Sequence, residues 1–233
     1  MNKKVKEIKD KPIIMDNIIG KKEEDILSKI CLDSPLWKIS PFTSDINEIG
    51  RFNESDQKLI KEAPQMVANI YNVADQNLGS ENLPFNPYIY LPFYIALLKC
   101  GIVIPQDWMI RVKMNIQFQQ DSSFRGKWNI PHVDYSEYGE NHLTAIYYPL
   151  DSDGDTVLFS NSYEKHYSNE REKLIPMFNC SPKKGRILLF WGKGLHAGTH
   201  PVENDMRMCI NYNFQLPEDF VSKIEFKWKD YQK

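Results

Sequence analysis

The sequence predicts a mainly β chain with flanking helices, in which an antiparallel sandwich or jelly roll is covered by a helical layer. Two observations support this fold class. After Gly101, short segments alternate apolar with polar residues, which is the period of a half-buried strand. Before Gly101, the candidate elements have helical spacing. Helices that precede the strands, and do not alternate with them, argue against a doubly wound parallel sheet.

Composition indicates one globular unit. The chain has 233 residues, of which 42% are hydrophobic and 26% are charged, with a net charge of −2. We therefore predict a single domain over 1–233, with a mostly helical N-terminal cover over 1–110, a jelly-roll core over 111–215 and a C-terminal tail over 216–233. The nearly balanced charge gives no electrostatic signature of polyanion binding and argues against a nucleic-acid partner. It leaves the oligomeric state open.

We expect a cytoplasmic location, because the sequence shows no export signal and its cysteines fit reduced thiols. The N-terminal segment is basic but lacks the continuous apolar stretch and small-residue cleavage site of a signal peptide. The longest apolar run, residues 89–98, is too short to span a bilayer, so no membrane association is expected. The four cysteines form no C-x-x-C pair, which indicates reduced thiols and not a disulfide framework or a zinc ribbon: Cys31, Cys100, Cys180 and Cys209.

Three helices are expected in the N-terminal half. The first is short and lies around 23–31. The second runs over about 55–75, because Ser55 and Asp56 form a capping signal before apolar residues at helical spacing, with a kink at Pro64. The third lies over about 92–100, where Pro92 suits the first helical position and Gly101 suits a C-terminal cap.

Alternating segments predict strands over 109–118, 143–148, 156–159, 186–191 and 207–214, after a short apolar segment at 102–104. On the last of these strands, Arg207, Cys209, Asn211 and Asn213 share one face, while the other face is apolar. A polar face that carries an arginine is typical of a lined pocket. The apolar face is expected to pack under the helices.

The stretch 130–150 contains the strongest candidate chemistry. His132 and Asp134 lie two positions apart on a segment that Pro131 biases toward extended geometry, so both side chains point to one face. His196 follows the predicted strand 186–191. Two imidazoles and one carboxylate on one facet are the ligand set of non-haem Fe(II) oxygenases. The remaining histidines are expected at the surface or behind the ligands: His142, His166 and His200.

Together these residues resemble the 2-oxoglutarate-dependent Fe(II) dioxygenases, in particular the prolyl-hydroxylase-like branch with its bacterial and phage members. The resemblance covers roughly 112–214. It rests on the following residues and segments: His132-x-Asp134, the strand 143–148, the turn Gly154-Asp-Thr156, the run 184–190, His196, Pro201-Val202 and Arg207. The resemblance implies a double-stranded β-helix, that is, a jelly-roll or cupin-like core.

The resemblance also implies the roles of site residues. His132, Asp134 and His196 would be the catalytic metal ligands for Fe(II). Arg207 would bind the distal carboxylate of 2-oxoglutarate, with Tyr148 beside it. The full co-substrate-binding set that we predict is Arg207, Tyr148, Thr144, Asn115 and Cys209. The chain departs from the family in its Asp153-Gly154-Asp155 turn, and in Cys209 where a serine is frequent.

The implied reaction consumes O2 and 2-oxoglutarate, releases succinate and CO2, and hydroxylates a C–H bond of an unidentified substrate, a peptidyl residue or a small molecule. Ascorbate is a candidate reductant. The substrate entrance is predicted at Arg125, Trp128 and Asn211, within or near the loops 119–129 and 161–180, which could equally be solvated surface loops.

Two alternatives remain open at this point. The same jelly-roll pattern fits a cupin-like metal enzyme that does not use 2-oxoglutarate. It also fits a metal-free binding module in which the histidines and the aspartate are incidental. Iron-dependent release of succinate from 2-oxoglutarate separates the oxygenase from both.

Overall fold

The computed structural model describes residues 12–40, 64–72, 87–103, 105, 108–134, 141–160 and 174–216. Two α-helices and a 3-10 turn lie in this part of the chain: α1 (Lys21–Leu32), α2 (Pro87–Lys99) and the turn Ser122–Phe124. Its strands are β1 (Ile13–Met15), β2 (Lys38–Ser40), β3 (Gln65–Asn72), β4 (Met109–Phe118), β5 (His142–Tyr148), β6 (Thr156–Phe159), β7 (Pro176–Cys180), β8 (Arg186–Trp191), β9 (His196–Gly198) and β10 (Met206–Gln215).

The strands form two antiparallel sheets. The seven-stranded sheet has the order β1-β8-β5-β10-β4-β3-β2, and the three-stranded sheet has the order β7-β6-β9. The predicted fold class, a mainly β jelly roll with flanking helices, is confirmed. Among the described residues, no helix combines the length and apolar character needed to cross a bilayer.

One face of the large sheet packs against the helices, because β4 and β10 alternate as the sequence predicts. In the middle of α2, Phe93 stacks on Tyr212 with ring centroids 5.0 Å apart and meets Phe214 edge-on at 4.9 Å. The Tyr212 hydroxyl donates to the main-chain carbonyl of Ile89 in the same helix. This layer contains the largest apolar cluster in the described part of the protein.

The helices at 23–31 and 92–100 are confirmed, with differences at their ends. The first is α1. The second, α2, begins at Pro87, so Pro92 lies inside the helix and does not open it. Gly101 has a positive φ of 72° and caps α2, as predicted: its N–H donates to the Leu98 carbonyl, while the N–H of Ile102 donates to the Leu97 carbonyl.

The helix expected over 55–75 is wrong where it can be compared. Residues 65–72 form β3, which pairs with β2 and β4, and residues 55–63 and 73–75 lie outside the described residues. A β-bulge between Asn69 and Tyr71 shifts the alternation of side chains. Apolar residues before and after the bulge therefore fall at spacings that imitate a helix. The described part of the predicted helical cover is thus mixed, with β1, β2 and β3 beside α1 and α2.

Smaller elements also differ from expectation. Ile102 and Val103 belong to no strand, although the short apolar segment at 102–104 is grouped with the predicted strands. Strand β7 lies within the predicted loop 161–180, and His196 belongs to the short strand β9, for which no strand is predicted. The single-domain boundaries stay a prediction.

Candidate active site

The predicted triad converges between the two sheets. His132 and His196 form an antiparallel bridge in which each main-chain N–H donates to the other residue's carbonyl, at 2.9 and 3.0 Å. Their rings lie 4.6 Å apart, centroid to centroid. Asp134 follows His132 by two residues, and one potential ligand atom from each of the three side chains lies within 4.8 Å of the others.

The main chain fixes which imidazole nitrogens face the site. Nδ1 of His132 is 3.0 Å from the Ile130 carbonyl oxygen, and Nδ1 of His196 is 2.9 Å from the Gly194 carbonyl oxygen. A carbonyl oxygen only accepts, so each Nδ1 carries a proton, and in the neutral imidazole Nε2 is then the nitrogen with the free lone pair. Burial, followed by the nearby His196, lowers the pKa of His132 to about 4, which keeps its imidazole neutral at physiological pH.

Asp134 is oriented by four side chains from the large sheet. Arg111 Nη2 donates to its Oδ1 at 2.9 Å, and Asn213 Nδ2 donates to its Oδ2 at 2.9 Å. Thr144 and Asn211 add hydrogen bonds of 3.2 Å each to Oδ2. Burial would raise the pKa of Asp134, but the charge of Arg111 and the hydrogen bond from Asn213 hold it well below its usual value. The carboxylate is therefore ionised.

These donors fit a divalent metal ion. Two imidazole nitrogens and one carboxylate oxygen converge, with Nε2 of His196 3.8 Å from Oδ2 of Asp134. Such a set suits Fe(II) and leaves further coordination positions for other ligands. The assignment of these residues as metal ligands stays a prediction, whereas their convergence is observed.

A second polar site lies at the start of β10. Arg207 is only 5% exposed and hydrogen-bonds through all three guanidinium nitrogens. Nε donates to the Gly154 carbonyl at 2.7 Å, Nη2 to Thr156 Oγ1 at 2.7 Å, and Nη1 to Gln117 Oε1 at 3.2 Å. All three acceptors are neutral, and no described carboxylate forms an ion pair with Arg207. A buried cation without a counter-charge is costly, so this site fits an anionic ligand.

Tyr148 lies beside Arg207, as the resemblance to the dioxygenases implies. Its ring centroid is 5.8 Å from Arg207 Cζ, and its hydroxyl donates to the same Thr156 Oγ1 at 2.7 Å. Burial raises the pKa of Tyr148 well above its usual value. The phenol therefore remains a hydrogen-bond donor over the physiological pH range.

The other predicted co-substrate residues divide between the two sites. Cys209 Sγ lies 3.7 Å from Arg207 Nη1 and 3.9 Å from Asn115 Nδ2, so these two residues adjoin the arginine. Thr144 instead contacts Asp134 and Asn213, on the side of the triad. The co-substrate roles of all these residues stay predictions.

The three predicted entrance residues contact different parts of the protein. Arg125 pairs with Glu203 at 2.8 Å, and both side chains are largely exposed. Trp128 packs edge-on against Phe159, with centroids 5.3 Å apart. Asn211 hydrogen-bonds to Asp134 and thus belongs to the site itself.

The remaining histidines are less exposed than the sequence suggests. His142 and His200 are both buried, and His200 Nε2 lies 2.7 Å from Asn129 Oδ1. His166 lies outside the described residues.

Sequence reasoning missed the contribution of β4. Arg111, Lys113 and Gln117 line the same face as Asn115, opposite Asn213, Asn211 and Arg207 of β10. The alternating R-V-K-M-N-I-Q pattern was the available signal, because every second residue is polar. Only the register with β10 shows that this face meets Asp134.

Comparison with known proteins identifies the fold. Neither a protein-family model nor a curated protein sequence matches the chain. A prolyl hydroxylase from Trichoplax adhaerens, solved with a hypoxia-inducible-factor peptide fragment, is 16% identical, with a TM-score of 0.51 over 94% of this chain and 90% of that one. A prolyl-4-hydroxylase from Pseudomonas putida is 9% identical, with a TM-score of 0.51 over 88% and 92%.

A third structure agrees with these two. An oxidoreductase of the 2OG-Fe(II) oxygenase family from Burkholderia pseudomallei is 14% identical, with a TM-score of 0.53 over 91% of this chain and 88% of that one. The protein thus has the fold shared by prolyl hydroxylases and 2OG-Fe(II) oxygenases. At these identities the likeness establishes the fold alone.

Proposed function

We propose that this protein is an Fe(II)- and 2-oxoglutarate-dependent dioxygenase in which His132, Asp134 and His196 bind the iron. The observation that carries the proposal is the convergence of one potential ligand atom from each of two imidazoles and one carboxylate, all within 4.8 Å of one another. The shared fold supports it, since solved structures with this fold include 2OG-Fe(II) oxygenases.

Arg207 is the residue that favours a 2-oxoglutarate-dependent enzyme over a metal enzyme that does not use 2-oxoglutarate. Its guanidinium can bind a carboxylate through two parallel hydrogen bonds, which lysine cannot reproduce. Tyr148 would donate a third hydrogen bond to the same distal carboxylate. A cupin-like metal enzyme or a metal-free binding module would have no need of a buried arginine without a counter-charge at this position.

Iron, 2-oxoglutarate and O2 together would supply the oxidation of a substrate C–H bond, with release of succinate and CO2, and hydroxylation is the outcome we propose. Ascorbate would serve as a reductant. The protein's own residues contribute geometry: the backbone carbonyls of Ile130 and Gly194 fix the imidazole protons, and the large sheet orients Asp134. The substrate would be a peptidyl residue or a small molecule that enters near Arg125, Trp128 and Asn211.

The test is iron-dependent release of succinate from 2-oxoglutarate without added substrate. We expect slow release with Fe(II) and none with Zn(II). His196→Ala should reduce release to background and weaken Fe(II) binding. His200→Gln, a change to a histidine four positions away, is the matched control and should retain release. Iron binding with no succinate release would favour the cupin-like enzyme, and neither would favour the metal-free module.

A further inference from the structure

Lys113 is a cation of the site that the proposed reaction does not use. It lies on β4 directly opposite Asn211 of β10, between Arg111 and Asn115 on the polar face. Its ammonium forms no hydrogen bond or ion pair with any described residue. Burial, followed by the charge of Arg111, lowers its pKa to about 8, so the group stays mainly protonated at neutral pH.

Asn211 adds a second group without a partner at the same position. Its Nδ2 donates to Asp134, and this bond fixes the orientation of the amide, because the reverse orientation would face two acceptors toward each other. Its Oδ1 is buried and accepts no hydrogen bond within the described part of the protein. Lys113, whose ammonium has no acceptor, and Asn211, whose amide oxygen has no donor, are therefore cross-strand partners on the face that meets Asp134.

Neither of the neighbouring arginines is available as a donor to the unpaired amide oxygen of Asn211. Arg111 is engaged with Asp134 and Asn213. Arg207 lies four residues along β10 from Asn211, which is about 13 Å at about 3.3 Å per residue. A bond between Lys113 and Asn211 would satisfy the amide oxygen but would supply no counter-charge for the ammonium.

We propose that Lys113 and Asn211 form an anion-binding subsite for the substrate to be oxidised. The group it takes is a carboxylate or phosphate with an N–H or O–H beside it, since Lys113 needs an acceptor and Asn211 needs a donor. The assignment to the oxidised substrate rests on the proposed function, because it places the subsite next to the iron. The same chemistry could come from the metal-proximal carboxylate of 2-oxoglutarate, and the experiment separates the two sources.

The experiment follows the lysine side chains by NMR in the full chain labelled with ε-13C-lysine. The Lys113 signal is assigned by its loss in Lys113→Met or, should that variant not fold, in Lys113→Arg. Inorganic phosphate, which at neutral pH offers both acceptors and an O–H, is added to metal-free protein at constant ionic strength. Lys29, an exposed lysine paired with Asp33, is assigned in the same way and is the control.

We expect the Lys113 signal to shift and saturate with phosphate. The Lys29 signal should shift by less than a tenth of that amount. The response should persist in Arg207→Met and in wild-type protein saturated with Zn(II) and 2-oxoglutarate. Equal shifts of both lysines, or none, would overturn the proposal. A phosphate response that disappears once 2-oxoglutarate is bound would also overturn it, and would assign the subsite to the co-substrate.

Failure of this proposal is distinguishable from failure of the proposed function. The phosphate response is read without metal, so it does not depend on iron chemistry. Absence of 2-oxoglutarate binding to metal-loaded wild-type protein, measured by calorimetry, would contradict the dioxygenase assignment while leaving the Lys113 response intact.

Discussion

The two faces of β10 are both buried but have opposite chemistry. On the helix side, Tyr212 and Phe214 are fully buried against apolar neighbours. On the other side, Asn213 is equally buried and Arg207 is 5% exposed. Burial therefore does not separate the part of the sheet that stabilises the fold from the part that carries the site. The apolar face gains free energy by leaving water, whereas the polar face must recover its desolvation cost through hydrogen bonds.

The largest effect should come from the apolar face. Phe93→Ala removes a ring that contacts both Tyr212 and Phe214, and truncation of a buried phenylalanine costs about 3–5 kcal/mol. We expect that loss in the free energy of unfolding, measured with urea, while 2-oxoglutarate affinity per folded molecule stays unchanged. Leu98→Ala, at an exposed position of the same helix, should change stability by less than about 0.5 kcal/mol. Equal losses in both variants would contradict this role of the helix layer.

On the polar face we expect 2-oxoglutarate affinity to fall while stability changes little. Arg207→Met removes the proposed carboxylate partner, and charge-assisted hydrogen bonds contribute about 1.5–3 kcal/mol, or roughly a 10- to 150-fold loss of 2-oxoglutarate affinity. Stability should change little or rise, because a buried charge without a counter-charge is lost. Calorimetry at saturating metal measures both the 2-oxoglutarate affinity and the stability. Arg186→Met, whose arginine pairs with Asp16 near the surface, is the control and should leave 2-oxoglutarate affinity unchanged. An unaltered affinity in Arg207→Met would remove the co-substrate assignment.

A pH series tests how much the buried His200 contributes to the pH dependence of the free energy of unfolding. Burial, followed by the charge of Arg207, lowers the pKa of His200 from 6.5 to about 4. The unfolded chain therefore binds this proton first, so stability is complete above pH 6.5 and falls as the pH drops toward 4. Between pH 7.5 and 5.5 the contribution is roughly 1.4 kcal/mol. Urea unfolding of His200→Gln should show a pH dependence weaker by that amount, and identical curves would show that His200 titrates normally.

The smallest effect is expected at Tyr148. Tyr148→Phe removes one neutral hydrogen bond, which contributes about 0.5–1.5 kcal/mol, or roughly a 2- to 13-fold loss of 2-oxoglutarate affinity. Fe(II) affinity should not change, because the phenol contacts Thr156 and Arg207 and none of the triad residues. A loss larger than that of Arg207→Met would reverse the relative importance that we assign to the two residues.

The sequence predicts features that depend on neighbouring residues better than features that depend on contacts between distant parts of the chain. Alternation along β4 and β10 is local, and it predicted both the strands and the face that bears Arg207. His132 and Asp134 were predictable because two-residue spacing on an extended segment fixes their common direction. The approach of His196 required the resemblance to a known family, because no periodicity brings residues so distant in sequence together.

The errors arise where pairing overrides local pattern. In β3 the bulge near Asn69 disrupts the period that identifies a strand, and pairing with β4 decides the structure. The roles of Arg111 and Lys113 were missed for a related reason. Their polar alternation is visible in the sequence, but only the register opposite Asn213 and Asn211 places them beside Asp134.

The order of the large sheet has a consequence for biosynthesis. Its central strand, β10, is the last strand in the described sequence, and β1 at the other end of the chain pairs with β8. During translation, β4 and β5 must wait for residues 206–215 to leave the ribosome before they gain their common neighbour. Contacts so distant in sequence fold slowly, and unpaired strand edges are prone to association. The nascent chain should therefore need protection until β10 emerges, and should complete its sheet and its proposed iron site in the same late step.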